Sequence, residues 1–72
     1  MIELCLRRMG HKDRRVLVKR DTPLGQLRGS YAIRFGHPTH EIVMTIGGHH
    51  IRDKDTVASL KLEQGTVIRV YI

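Results

Sequence analysis

The segment Ile51-Arg52-Asp53-Lys54-Asp55-Thr56-Val57-Ala58-Ser59-Leu60, with Val67-Ile68-Arg69-Val70-Tyr71-Ile72 behind it, carries more fold information than any other part of this chain. Residues 66–72 are rich in β-branched side chains and read as a last strand entered through a turn at Gly65. Asp55 or Thr56 can cap one helical turn through Val57-Ala58-Ser59-Leu60. Ahead of that turn, His49-His50-Ile51 reads as a short fourth strand, and Gly47-Gly48 supplies the bend before it. Residues 41–46 alternate, with Ile42, Met44 and Ile46 on one side and Val43 and Thr45 on the other, which predicts a third strand.

Further upstream the period changes from two to three and four. Leu24, Leu27 and Tyr31 recur on one helical stripe. Asp21 or Thr22 can cap this helix, and Pro23 suits its first position because the missing N–H would be unpaired there anyway. Gly36 predicts a left-handed cap, and Pro38 blocks continuation. Gly25 and Gly29 lie inside and cost about 1 kcal/mol each relative to Ala, so packing must hold the helix. Residues 1–8 alternate as a first strand, with Ile2, Leu4 and Leu6 opposite Glu3, Cys5 and Arg7. A loop at Met9-Gly10-His11-Lys12-Asp13 leads into a second strand over 14–20, where Val16 and Val18 face away from Leu17. The order strand–strand–helix–strand–strand predicts a single α+β domain over residues 1–72, with one helix packed across a mixed sheet.

Composition narrows the function classes. Seventy-two residues bury only roughly 60% of their unfolded surface, so the core is small. Hydrophobic residues make up 40%, enough for a globular fold. Cys5 is the sole cysteine, which excludes an internal disulfide and a cysteine-rich metal site. A lone thiol fits a reducing compartment. No secretory leader pattern or spanning apolar run is present, so a soluble chain is expected, nuclear or cytoplasmic, with the nucleus favoured. Nine Arg and four Lys against seven acids leave a net charge of +6, which attracts phosphate or acidic protein surfaces.

The element order and the residues at its joints resemble the ubiquitin-like β-grasp, and within it SUMO and the SUMO-like domains embedded in DNA-repair scaffold proteins. The resemblance runs without gaps from about Asp13 to Tyr71. It is carried by Val18-Lys19, Thr22, Leu24, Leu27, Ser30-Tyr31, Arg34, Gly36 and Pro38. It continues through Gly48, Ile51, Asp53, Thr56, Leu60, Glu63, Val67-Ile68 and Val70-Tyr71. It implies a four- to five-stranded mixed sheet with the first and last strands central and parallel. The expected core is Ile2, Leu4, Leu6, Leu17, Leu24, Leu27, Tyr31, Ile42, Met44, Ile51, Leu60, Val67 and Ile68.

The resemblance also implies two protein-binding surfaces. The first is a groove between the second strand and the helix that takes a SUMO-interacting motif as an added strand. Matching residues are Arg15, Val16, Val18, Lys19 and Leu27. Val16 stands where SUMO has a phenylalanine in the groove floor, and Arg14 where it has an aliphatic residue. The second is the surface that meets the SUMO-conjugating enzyme, matched by Gly48, Glu63, Gln64, Gly65 and Thr66. It is less acidic than in SUMO, and Arg69 replaces a position that is often acidic, which counts against a basic enzyme surface.

A third candidate comes from the residues alone. Arg7, Arg8, His11, Lys12, Arg14 and Arg15 cluster around the first hairpin and are expected to form one basic patch for phosphate contact. Aromatic stacking platforms are scarce (Tyr31, Phe35 and Tyr71), which weakens a nucleic-acid role. Adjacent His49 and His50 point to opposite faces of a strand and cannot easily share an ion, so neither metal nor cofactor is expected. No nucleophile, base and orienting group come together in the pattern, so no enzyme is expected. The expected function is a non-catalytic SUMO-like docking module, not itself conjugated, because no diglycine follows Ile72. Alternatives are a SUMO-type modifier whose diglycine tail was omitted and a basic domain that contacts nucleic acid.

Overall fold

The computed structural model describes residues 1–72. In chain order it contains β1 (Ile2–Arg7), β2 (Arg14–Val18), α1 (Gly25–Phe35), β3 (Val43–Ile46), β4 (His49–His50) and β5 (Val67–Tyr71). A single 3-10 turn, Thr39–Glu41, links α1 to β3. The strands form one five-stranded sheet in the order β2-β1-β5-β3-β4. β1 and β5 run parallel with Leu6 opposite Ile68, and the other pairs are antiparallel. This is the β-grasp arrangement, with five strands.

Strand alternation sets the core. Ile2, Leu4 and Leu6 of β1 are buried on the same side as Ile68 and Val70 of β5, against Leu24, Tyr31 and Ala32 of the helical segment. Leu4, Ile42 and Ile68 have no solvent exposure at all. Each such side chain contributes roughly 1.5–3 kcal/mol of burial. Three expected core residues, Leu17, Leu60 and Val67, lie elsewhere. Leu17 is 67% exposed while Val18 is 4% exposed, because the register Ile2↔Val18 and Leu4↔Val16 puts the two valines on the inner face. Leu60 is 38% exposed, and Val57, three residues earlier, fills the core instead at 2%. Leu27 and Ile51 pack against the core half-buried, and Val67 is half-buried on the outer face.

The helix starts later than its sequence signals imply. Leu24 occupies the N-cap position with helical backbone angles and no side-chain cap bond. Asp21 and Thr22 do not cap it, and Pro23 precedes the first turn. The main chain of the 52–58 segment supplies the acceptors instead. Leu24 N–H donates to the Asp55 carbonyl at 2.7 Å, and Gly25 N–H to the Asp53 carbonyl at 2.9 Å. Orphan N–H groups of a first turn need such partners. Gly25 is explained by this contact: a Cβ there would sit 2.8 Å from the Asp53 Cβ and 3.0 Å from its Cα. At the other end Gly36 takes the left-handed conformation, φ 69°, that terminates the helix.

The predicted helical turn over 57–60 closes as a series of turns rather than a helix. Thr56 still caps it. Its Oγ1 accepts from Ser59 N–H at 3.0 Å, and Ser59 Oγ accepts from Thr56 N–H at 2.9 Å. That is a reciprocal capping box with serine in the usual glutamate role. Lys61, at φ 52°, then turns the chain away.

Candidate functional site

β2 is an edge strand, paired only with β1. One side of its backbone is therefore open to an added strand. Two clefts flank it on the helix side. At the Val18 end, a cleft of about 360 Å3 is lined by Met1, Leu17, Val18, Lys19 and Leu27, among others. At the hairpin end, a cleft of about 210 Å3 is lined by Leu6, Arg8, Lys12, Arg14, Tyr31 and Phe35, with His11 and Asp13 beside them. Arg14 and Val16 are half-buried on the helix-facing side of β2, while Arg15 and Leu17 are exposed. Lys19 and Leu27 thus line the cleft at the Val18 end, and Val16 lies on the same face of β2 without lining either cleft. Val18 gives that cleft only a wall, being mostly core. Arg15 projects from the opposite face, 3.9 Å from the Glu3 carboxylate.

Tyr31 and Phe35, four residues apart on α1, stack with ring centroids 4.5 Å apart, and His11 meets Phe35 edge-on at 6.2 Å. The Arg34 guanidinium lies 5.9 Å from the Phe35 ring centre. Sequence reasoning stopped the helix stripe at Tyr31 and missed this floor. The i, i+4 spacing of Tyr31 and Phe35 was the available signal.

The residues expected to form one basic patch divide between faces. Arg7 and Arg15 lie on the outer face with Cys5, whereas Arg8, Lys12 and Arg14 line the hairpin-end cleft. Strand alternation forces this separation. Arg7 is not free. It binds Asp13 through two parallel bonds, Nε to Oδ1 at 3.1 Å and an Nη to Oδ2 at 2.9 Å. The hydrogen bond from Arg7 holds the Asp13 carboxyl below its ordinary range. Burial pushes the neighbouring Cys5 thiol up, and the Asp13 charge adds to it, so the thiolate is disfavoured.

At the far end of the sheet, the turn at residues 63–66 is tied to β1. Glu3 N–H donates to Gln64 Oε1 at 2.8 Å, Gly65 N–H to the Glu3 carbonyl at 2.8 Å, and Cys5 N–H to the Thr66 carbonyl at 2.9 Å. Thr66 Oγ1 donates to the Glu63 carbonyl at 2.8 Å. The Gln64 side-chain oxygen and the Thr66 hydroxyl are thereby engaged within the domain, and the exposed Glu63 carboxylate is the turn's outward charge. The β3–β5 register carries the Gly47-Gly48 bend to this same end. An apolar hollow of about 230 Å3, lined by Ile46, Ile51, Leu60 and Leu62 with His49 and His50, also adjoins the bend. No group of three or more His, Cys, Asp or Glu side chains converges anywhere in the molecule.

A sequence profile of the ubiquitin-2 like Rad60 SUMO-like family matches residues 2–72. The chain belongs to this family of SUMO-like domains. A small ubiquitin-related modifier of Caenorhabditis elegans is 37% identical to this Rad60 SUMO-like domain over 54 residues, covering 75% of the chain and 59% of the relative. The domain thus spans about three-fifths of that relative's length. In structure it is similar to the ubiquitin of Caldiarchaeum subterraneum, with a TM-score of 0.88 over 96% of this chain and 89% of the other at 17% identity. That likeness is one of fold. SUMO-like domains generally interact with proteins, and the fold is typically a non-enzymatic module.

Proposed function

We propose that this Rad60 SUMO-like domain is a non-catalytic docking module, not itself conjugated, that captures a short extended peptide along the groove between β2 and α1. The observation that carries this reading is the open edge of β2 beside a cleft lined by Val18, Lys19 and Leu27, with half-buried Val16 on the same face of the strand. An added strand gains main-chain hydrogen bonds from the edge and places alternate side chains in the cleft. The location that suits this role is nuclear or cytoplasmic, with the nucleus favoured.

A second reading has its own support. The hollow formed by Ile46, Ile51, Leu60 and Leu62, next to Gly48 and Glu63, offers an apolar centre with an acidic neighbour. That suits docking of a SUMO-pathway enzyme. A nucleic-acid role is less favoured, because the hairpin cations face two directions and Arg7 is already paired.

The test is an amide-shift titration of labelled domain with an aliphatic peptide flanked by acidic residues. Shifts are expected along residues 14–19 and at Leu27. A parallel titration with the SUMO-conjugating enzyme that moved Gly48 and residues 63–66 instead would favour the second reading. Silence at submillimolar peptide would overturn the groove.

A further inference from the structure

Arg14 is the unusual residue of the edge strand. It sits on the helix-facing side of β2, opposite Leu6, and is half-buried, lining one cleft with Tyr31 and Phe35. The ion pairs of the molecule are Arg7–Asp13, Arg15–Glu3 and Arg28–Asp53, so Arg14 has no anionic partner. Asp13 lines the same cleft, but both its oxygens are held by Arg7. Arg8, Lys12 and His11 add donors without adding an acid. The cleft is therefore cationic, with an aromatic floor and no available internal carboxylate. The separate cleft at the Val18 end of β2 is of mixed character, with Met1, Leu17, Val18 and Leu27 beside Lys19, Thr22, Gln26 and Ser30.

We infer that the groove selects a peptide strand carrying a glutamate or aspartate within the strand, opposite Arg14, with aliphatic side chains at alternate positions opposite Val16 and Leu27. This inference rests on the strand-addition reading above and names the partner that reading leaves open. An added strand alternates its side chains with period two, so every second residue faces the groove. The residue facing Arg14 meets a half-buried guanidinium whose planar fork matches a carboxylate. An aliphatic residue there would cover that charge without pairing it, which costs free energy.

The experiment uses three peptides that differ only at this position, bearing Glu, Leu or Lys, titrated into the whole domain and into Arg14→Leu and Val16→Lys. The wild type is expected to prefer Glu over Leu by about tenfold and to bind Lys weakest, the scale expected for charge-assisted pairing. Arg14→Leu should reverse the Glu–Leu order, while Val16→Lys should weaken all three. Equal binding of Glu and Leu peptides by wild type, unchanged in Arg14→Leu, would overturn the inference and leave strand addition standing. No binding by wild type or by Arg14→Leu would overturn both. Displacement of the Glu peptide by an equimolar short single-stranded oligonucleotide would assign the cleft to phosphate and also overturn the inference. Thermal unfolding of Arg14→Leu checks that the variant is folded, and Arg14→Lys, which keeps charge but loses the fork, should retain only part of the preference.

Discussion

The two ends of α1 use their polar groups in opposite ways. At the N-terminal end, the Leu24 and Gly25 N–H groups donate to the main chain of residues 55 and 53. Arg28 bonds Asp53 at 2.8 Å, and Gly25 permits backbone contact too close for any Cβ. Groups about thirty residues apart in sequence satisfy one another, and only the buried Arg28 Nε is left without a partner. At the C-terminal end, Gly36 closes the helix locally, and Arg8, Lys12, Arg14 and Arg34 take part in no ion pair. One end holds the fold together, and the other keeps charge available. A site is better sought where polar groups lack internal partners than where they are most numerous.

This contrast can be challenged by mutation, with the largest effects expected at the N-terminal end. Val57→Ala empties a site only 2% exposed and should cost about 2–3 kcal/mol. Chemical denaturation should show an unchanged m-value with a lower midpoint. Gly25→Ala sets a helix-propensity gain of about 1 kcal/mol against overpacking of about 1–3 kcal/mol. The neighbour it would strike is Asp53 backbone as well as side chain, so overpacking should win and the melting temperature should fall. A rise in melting temperature for Gly25→Ala would mean that the clasp over residues 52–58 is loose.

Gly29→Ala is the matched comparison. Nothing lies within 4 Å of its Cβ position, so it should gain up to about 1 kcal/mol, or roughly 4–8 °C for a domain of this size. The smallest effect is expected at the hairpin. The folded-state pKa of Asp13 is depressed by Arg7, so its contribution is present above the ordinary carboxylate range. It is lost as pH falls from about 4 through the lowered value. Wild type should therefore lose slightly more stability on acidification than Asp13→Asn does, with both measured by melting temperature against pH.

Most of the element pattern could be read without coordinates. Alternation in β1, the β-branched run of β5, the Leu24–Tyr31 stripe and the Gly36 cap are local signals, and each survives folding because neighbouring residues alone create it. The candidate site was legible only in part. Val18, Lys19 and Leu27 line one cleft and Val16 shares their face of β2, but Arg15 faces the other way, and Phe35 and Met1 were not anticipated.

What local chemistry could not fix is whatever depends on residues far apart in sequence. The phase of β2 follows from its register with β1, which puts Val18 inside and Leu17 outside. The helix start depends on carbonyls at 53 and 55, not on the nearby Asp21 and Thr22. Sharing of Asp13 with Arg7, and the lack of any acid for Arg14, arise only when strands lie side by side. Periodicity and capping depend on neighbours a few residues away, so the chain's order of residues encodes them. Pairing of charges across strands is a property of distances between segments, and only the assembled sheet sets those.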